Sequence, residues 1–476
     1  MGFKTGIDKK QLTLLPLCPD DYIAEDHICR VINAFTEQLN MVALGFKYAE
    51  AKGTGSRPYD PRMMLNLYIY GYLHRIRSSR RLQDETRRNL EVIWLMDGLT
   101  PDDKTICNFR TDNIKALTET FREFVRICRN LGLYGEELVA TDSTKIRAQN
   151  SLKHHYNRTV IENELSRIDK RISEYLNALE QEDAGTAGKE TPSAASIKAA
   201  LEALKQRKVD FTELHERVLK EGEVSTVDPE ARMMRSGGGG EKLEVGYNVQ
   251  TVADSKNHMV VDFTVTNNSS DTGNLHKMSQ QAKEVLEVNE LTNLADKGYY
   301  DSEDIAACEE EGVTCLVAKR RSGGTIKPKE FSHENFIYNA QSDQYVCPCG
   351  NVLSYKRNTE RNERLYRVYV NYPACVRCLR KSECTSTTHR QMWRLPCQDI
   401  VDVVDKRTRA NKELYRQRQE IIEHVFGTVK AVWGYRQYLC RGKPKVTAET
   451  ALMYLAYNMR RAVNIFKESR VLPVLT

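Results

Sequence analysis

The succession of short apolar runs between residues 137 and 318 constrains this chain more than any other feature. Glu137-Leu-Val-Ala-Thr-Asp142 reads as a short buried strand that stops at an acid. Gly246-Tyr-Asn-Val-Gln-Thr-Val-Ala and Met259-Val-Val-Asp-Phe-Thr-Val-Thr are β-type runs joined by the turn formers Asp254-Ser-Lys-Asn-His258, which predicts a hairpin. A helix is expected from about Asn274 to Val288. Leu291-Thr-Asn-Leu-Ala-Asp296 is again a strand ending in an acid. Asp301-Ser-Glu-Asp opens a further helix, and Val313-Thr-Cys-Leu-Val-Ala is one more strand. An antiparallel hairpin followed by βαβ alternation is the order of an α/β, ribonuclease H-like domain.

Two stretches interrupt that rhythm. Residues 160 to 220 are charged and helical in pattern, with a Gly, Ala, Thr and Ser-rich loop at about 184 to 195, so a helical hairpin insertion is expected over about 152–224. Ser236-Gly-Gly-Gly-Gly then reads as a flexible linker. Residues 322–400 form a second, cysteine-rich insertion with short β-like pieces. The α/β domain would thus comprise 133–321 and 401–476, including a long helix from about Thr408 to Gly434 and a last one over Ala448–Phe466. Residues 1–132 are expected to be a helical domain. Its Pro61-Arg-Met-Met-Leu run has apolar residues at helical spacing, and Arg77-Ser-Ser-Arg-Arg81 fits a helix-turn-helix-like DNA-binding module with Arg77, Arg80 and Arg81 as candidate contacts. A helical bundle with a charged outer face is the plainer reading of the same residues.

A chain of 476 residues suits two to four units. No run approaches the 18 apolar residues of a membrane span, and the first residues carry neither a secretory core nor a myristoylation pattern. The expectation is a cytoplasmic protein without membrane contact. Its net charge of +6 is unevenly spread. Residues 75–88, 354–381 and 405–445 are basic blocks with six, eight and eleven Lys or Arg, which suits a polyanion touched at several places. Solvated helix faces would give similar blocks.

Two strand-end carboxylates brought together would repel unless a cation lay between them, and hard oxygen ligands favour Mg²⁺ or Mn²⁺. On the predicted long helix Ile422, Phe426, Val429 and Trp433 share an apolar face. With Ile422 at zero, Glu423 lies at about 100°, in line with Arg416 and Lys430, and Glu420 lies near about 160°, toward solvent. Glu423 is therefore the expected third acid. Gly427 in mid-helix would mark close packing against another backbone or DNA. Asp254 is expected to shape the hairpin turn, and Asp271 to cap the following helix.

Together, Ala140-Thr-Asp142-Ser-Thr, Gly246-Tyr-Asn-Val-Gln, Leu294-Ala-Asp296-Lys-Gly-Tyr and Ile422-Glu423-His-Val-Phe-Gly-Thr-Val-Lys430 resemble bacterial insertion-sequence DDE transposases. Tyr59-Asp-Pro-Arg-Met-Met-Leu, Ser78-Ser-Arg-Arg-Leu and Thr105-Ile-Cys-Asn-Phe-Arg resemble that family's amino-terminal domain. The resemblance implies metal-dependent cleavage of a mobile element's ends and strand transfer into target DNA. It implies two Mg²⁺ (or Mn²⁺) ions on Asp142, Asp296 and Glu423, with Tyr415, Arg418 and Lys430 in support. The family's Tyr-Arg-Glu-Lys signature usually has three residues between Arg and Glu; here four separate Arg418 from Glu423, and Arg416 is its geometric rival. The implied partners are double-stranded DNA (terminal inverted repeats and target) and further copies of the chain, as a homodimer or larger, on the bacterial nucleoid. A DNA-binding regulator that has lost cleavage and a plain nuclease are the alternatives.

The thirteen cysteines include a cluster, Cys347-Pro-Cys349-Gly and Cys375-Val-Arg-Cys378 followed by Cys384. The Cys-x2-Cys pair has zinc-knuckle spacing. An apolar thiol cluster and iron–sulfur or redox chemistry are the other readings. The similar family segment has a Cys-Pro-x-Gly turn, which implies Cys347, Cys375, Cys378 and Cys384 as zinc ligands and leaves Cys349 spare or as a substitute.

Overall fold

The computed structural model describes residues 18–50, 58–183, 194–236, 242–319 and 329–468. The linker glycines 237–240 and most of the 184–195 loop lie outside them. Six helices come first: α1 Ile28–Gln38, α2 Pro61–Leu73, α3 Ser79–Arg88, α4 Leu90–Leu95, α5 Asp103–Asp112 and α6 Ile114–Asn130. Asp60 starts α2 by accepting the Arg62 N–H, with Pro61 at the first position. Nearly every residue from Met64 to Leu73 is buried, so α2 is a central helix rather than an amphipathic one. Gly71 is required there, because a Cβ would lie 2.5 Å from the Ile76 carbonyl oxygen.

The sheet region opens with β1 Leu138–Arg147. Next come β2 His155–Asn157, the long helices α7 Arg158–Asp183 and α8 Ala194–Glu221, and β3 Glu223–Ser225, which pairs with β2 at the base of that helical hairpin. Strands β4 Arg232–Ser236, β5 Lys242–Asp254 and β6 Val260–Thr266 follow, then α9 Leu275–Leu286, β7 Leu291–Ala295, α10 Ser302–Glu310 and β8 Val313–Val317. The sheet order is β4-β5-β1-β7-β8, with β6 also on β5. β5 runs antiparallel to β1, β4 and β6, whereas β7 is parallel to β1 and β8 parallel to β7. Asp254 shapes the β5–β6 turn as expected, accepting the N–H groups of Lys256 and Gly135.

The cysteine-rich stretch has its own sheet of β9 Ile337–Asn339, β10 Gln344–Val346, β11 Val352–Arg361, β12 Arg364–Val370 and β13 Gln391–Arg394. Short helices α11 Tyr372–Arg377 and α12 Lys381–Cys384 precede β13. The chain then returns through α13 Gln398–Ala410 and α14 Lys412–Phe426 to α15 Lys443–Glu468.

Three expectations change here. Strand β1 does not stop at Asp142 but continues to Arg147, because the alternating positions after it keep pairing with β5 as far as Gly246. The long helix is not continuous: Asn411 leaves helical geometry (φ −106°, ψ 50°) and separates α13 from α14. After Phe426 the chain forms a π-turn over Gly427–Val432. A Cβ on Gly427 would meet nothing within 4 Å, so that glycine marks the π-turn and not a close approach.

Helix α15 is buried over most of its length and joins the two regions. One apolar cluster takes in Ile32 and Leu65 of the first helices, Val139 and Val249 of the sheet, and Leu452 of α15. Among the described residues no helix is long and apolar enough to cross a membrane.

Candidate active site

Strands β1 and β7 are parallel neighbours with Thr141 opposite Ala295, so Asp142 and Asp296 fall side by side. Successive strand residues face opposite sides of a sheet. Asp142 and Thr144 face α14, whereas Ser143 and Lys145 face away from it. The Asp142 carboxylate accepts the Ser143 N–H (2.7 Å) and an Arg418 N–H (2.6 Å). The second Arg418 nitrogen of the fork lies 3.8 Å from Asp296. A cationic guanidinium thus sits between the two acids. Burial pushes the Asp142 carboxyl above its ordinary range; Arg418 opposes this, and Asp296 and Asp271 add to it.

Asp296 begins a short turn by accepting the Lys297 N–H. The Tyr415 hydroxyl donates to the Ala295 carbonyl at 3.1 Å, which ties α14 to the end of β7. In the π-turn that follows α14, the Lys430 ammonium reaches Thr144 Oγ1 (3.0 Å) and the Lys145 carbonyl (2.9 Å). Burial pushes the Lys430 pKa down, and the nearby cations Arg436 and Lys145 push it further against the pull of Glu244.

Glu423 lies on α14 between Arg418 and Lys430, both of which touch β1. It is exposed, and its carboxylate has no hydrogen bond or ion pair among the described residues. The exposed line of the helix is Arg416, Glu420, Glu423 and Gly427, so Glu423 stands outside the buried face rather than at its rim. Glu420 is exposed, as its angle on the helix predicts. Arg416, the rival to Arg418, is exposed and pairs with Glu413 on its own helix. Position 418 is the one that faces the acids.

Asp271 is not the helix cap expected of it. Its carboxylate accepts from Asn248 (2.8 Å) and Gln250 (2.9 Å) and pairs with Lys145 at 3.5 Å, while Asp304 accepts the Leu275 N–H at the start of α9. Burial would raise its pKa, but Lys145 and the two amides outweigh that and hold it low. The Tyr299 hydroxyl donates to Gln250, and a Cβ on Gly298 would lie 3.2 Å from Asp271. Asn248, Gln250, Asp271 and Tyr299 therefore form one polar network behind the acids. Sequence reasoning passed over this network. Its signal was the pair Asn248 and Gln250, two polar residues on one face of a buried strand, which require partners.

The oxygens of Asp142, Asp296 and Glu423 do not gather within 4.8 Å of one another; among the described residues the group that does is His27, Cys29 and Glu91. In that trio His27 accepts the Cys29 N–H at the start of α1, Glu91 accepts the Tyr70 hydroxyl, and burial pushes the Cys29 thiol up to about 12.

The three amino-terminal arginines separate. Arg77 is largely buried, pairs with the fully buried Glu449 (3.1 Å), and lies over the Tyr435 ring, which ties the first helices to the last one. Arg80 is exposed and pairs with Asp103. Arg81 is exposed at the surface of α3.

Cys347, Cys349, Cys375, Cys378 and Cys384 all line one cavity of about 30 Å³, although no three of their sulfurs lie within 4.8 Å of one another. The Asn351 N–H donates to the Cys347 sulfur at 3.3 Å. Partial desolvation and the adjoining Cys378 thiol push Cys349 up to about 11, so Cys349 belongs to the cluster rather than standing apart.

Two family profiles match the chain. A transposase domain profile (DUF772) matches residues 17–112, and the transposase DDE domain profile matches residues 222–459. No curated protein and no solved structure shows significant similarity to the chain. Half of the 476 residues match the DDE profile, and that half carries Asp296, Arg418, Glu423 and Lys430: the chain belongs to the DDE transposases.

Proposed function

We propose that this transposase cuts the ends of a mobile element and joins them to target DNA at a ribonuclease H-like centre built from Asp142, Asp296 and Glu423. The observation that carries the reading is the adjacency of Asp142 and Asp296 on parallel strands, under α14, which supplies Arg418 and Glu423, and the π-turn, which supplies Lys430. A strand order with β6, β5 and β1 antiparallel and β7 and β8 parallel to β1 supports the fold assignment. The domain boundaries read from the sequence, with insertions at 152–224 and 322–400, follow from it.

Donor chemistry fits hard cations: the three proposed ligands are carboxylates, one part-buried and two more open to solvent. Two Mg²⁺ or Mn²⁺ ions there would activate the attacking oxygen and stabilise the leaving one. The protein's own part is positional. Arg418 orients the Asp142 carboxylate and holds the adjoining acids together. Lys430, held by Thr144 and the Lys145 carbonyl, places positive charge along β1 on the Asp142 side, where a phosphodiester entering the cleft gives it a counter-charge. Glu423, whose carboxylate is exposed and unpartnered among the described residues, would supply the third carboxylate to those ions.

The reading extends to a dimer or larger assembly on DNA in the bacterial cytoplasm. It also assigns Zn²⁺ to the cysteine cavity, whose five sulfurs are soft donors. Metal analysis of purified protein should find about one zinc per chain, and its chelation should lower Tm. A zinc-free protein with an intact insertion contradicts that assignment.

The decisive assay is incubation of the protein and Mg²⁺ with DNA carrying the element's own flanking repeats and a target plasmid. Cleavage followed by joined products is expected. Nicks without joining would make the protein a nuclease, and binding without cleavage a regulator. Asp142→Asn and Glu423→Gln should lose cleavage and keep DNA binding.

A further inference from the structure

We infer that the β11–β12 ribbon is a DNA-holding arm fixed beside the acids, and that Lys356, Arg357 and Arg361 are its phosphate contacts. The inference rests on the proposed reading that DNA enters the cleft over Asp142 and Asp296.

The two strands pair from Ser354 opposite Val370 to Arg361 opposite Arg364. β10 covers β11 only at Val352–Ser354, and β13 covers β12 only at Arg367–Val370. Between those limits the ribbon projects with no neighbouring strand among the described residues. A two-residue tip closes it, Asn362 and Glu363, both at positive φ (51° and 62°), as the right-handed twist of a tight hairpin requires. A bulge between Tyr355 and Arg357 leaves Lys356 outside the ladder. Most of β11 is exposed.

Its cations fall into two groups. Arg364 is tied to Asp301 (2.5 Å) and Glu303 (3.1 Å), and Arg367 is tied to Asp343. Lys356, Arg357 and Arg361 are exposed and have no acidic partner among the described residues. Cross-strand register puts Arg357, Thr359, Arg361, Arg364 and Tyr366 on one face, with Trp393 beside Tyr366 and under the Arg361 guanidinium. Glu360 points to the other face, opposite Leu365.

Position gives the arm its role. Asp301, which Arg364 grips, lies five residues after Asp296 and caps α10. The free cations therefore project from a ribbon clamped to the loop that carries a proposed metal ligand. A two-stranded ribbon fits the major groove, and cations on its rim reach the phosphates that flank it. Contacts of this kind position the duplex without reading its sequence.

The test uses the full-length protein and the triple variant Lys356→Glu/Arg357→Glu/Arg361→Glu, with thermal melting to show that both fold. Anisotropy with a fluorescent random-sequence duplex is measured from about 50 to about 200 mM salt. The variant is expected to bind at least about 10-fold more weakly. Its slope of log affinity against log salt should be shallower by about 2 to 3, near 0.9 per lost phosphate contact. A charge-neutral Gln triple should fall between the two. If wild type binds and the variants keep its affinity and slope, the arm is not a DNA contact while the proposed function stands. If wild type itself fails to bind any duplex, both readings fall.

Discussion

The sheet and the helix contribute acids to the same cleft in opposite ways. Asp142 is part-buried, hydrogen-bonded to its neighbouring backbone and gripped by Arg418. Glu423 is exposed and unpartnered among the described residues. One side of the proposed metal site is preorganised by strand pairing, and the other is a side chain free to move. Preorganisation suits the acids that must withstand mutual repulsion, and freedom suits the one that closes over a bound ion and DNA. The same division separates Arg418 from Arg416. These two residues lie two positions apart on one helix, yet one bridges two carboxylates and the other pairs with Glu413 in solvent.

The contrast gives a graded set of outcomes. Glu423→Gln and Asp142→Asn should both reduce end cleavage to background. Only the second should alter folding stability appreciably, because a substitution at exposed Glu423 should stay within about 0.5 kcal/mol in a urea melt. A large loss of stability at Glu423 would show that it is a buried structural residue after all. Arg418→Ala should lower cleavage about 10- to 100-fold, the usual effect of removing a group that orients a metal ligand. It should also destabilise by about 1–3 kcal/mol, since the part-buried Asp142 loses its partner. Arg416→Ala should change neither, and equal effects of the two arginines would erase the distinction between them. Asp271→Asn should leave binding intact and slow cleavage toward the lower end of the 10- to 100-fold range. Single-turnover kinetics on a pre-cut end would check that.

Two glycines outside the cleft test the backbone and not the acids. A Cβ on Gly246 would meet the Ile146 carbonyl oxygen at 2.4 Å, so Gly246→Ala should destabilise by about 1–3 kcal/mol and lower Tm. Gly427 has open space and ordinary helical φ (−58°), so Gly427→Ala should be neutral or stabilising by up to about 1 kcal/mol.

What could be read from the sequence followed local pattern. The β-type runs, the hairpin turn at Asp254 and the helix start at Asp301 each rest on a few adjoining residues, and each appears in the fold. Asp296 at the end of β7 was legible for the same reason. The rest depended on partners far along the chain. Strand β1 extends past Asp142 because β5 continues to pair with it, roughly 100 residues on. Arg77 resembled a surface cation until Glu449 and Tyr435 closed around it. A helical wheel drawn through residue 430 assumes a uniform α-helix, and the π-turn after Phe426 removes that uniformity. Asp271 looked like a cap because it stands just before a helix, but Asn248 and Gln250 on a distant strand claim it.

Convergence of three acids around hard cations is the central claim, and Fe²⁺-directed backbone cleavage tests it most directly. With Fe²⁺ in place of Mg²⁺, DNA bound and a peroxide–ascorbate pulse, hydroxyl radicals cut the chain where the metal sits. Fragments ending near residues 142, 296 and 423 are predicted, suppressed by excess Mg²⁺ and lost in Asp142→Asn. Fragments near residues 142 and 296 with none near 423, or scission confined to residues 27–29 and 91, would contradict the account.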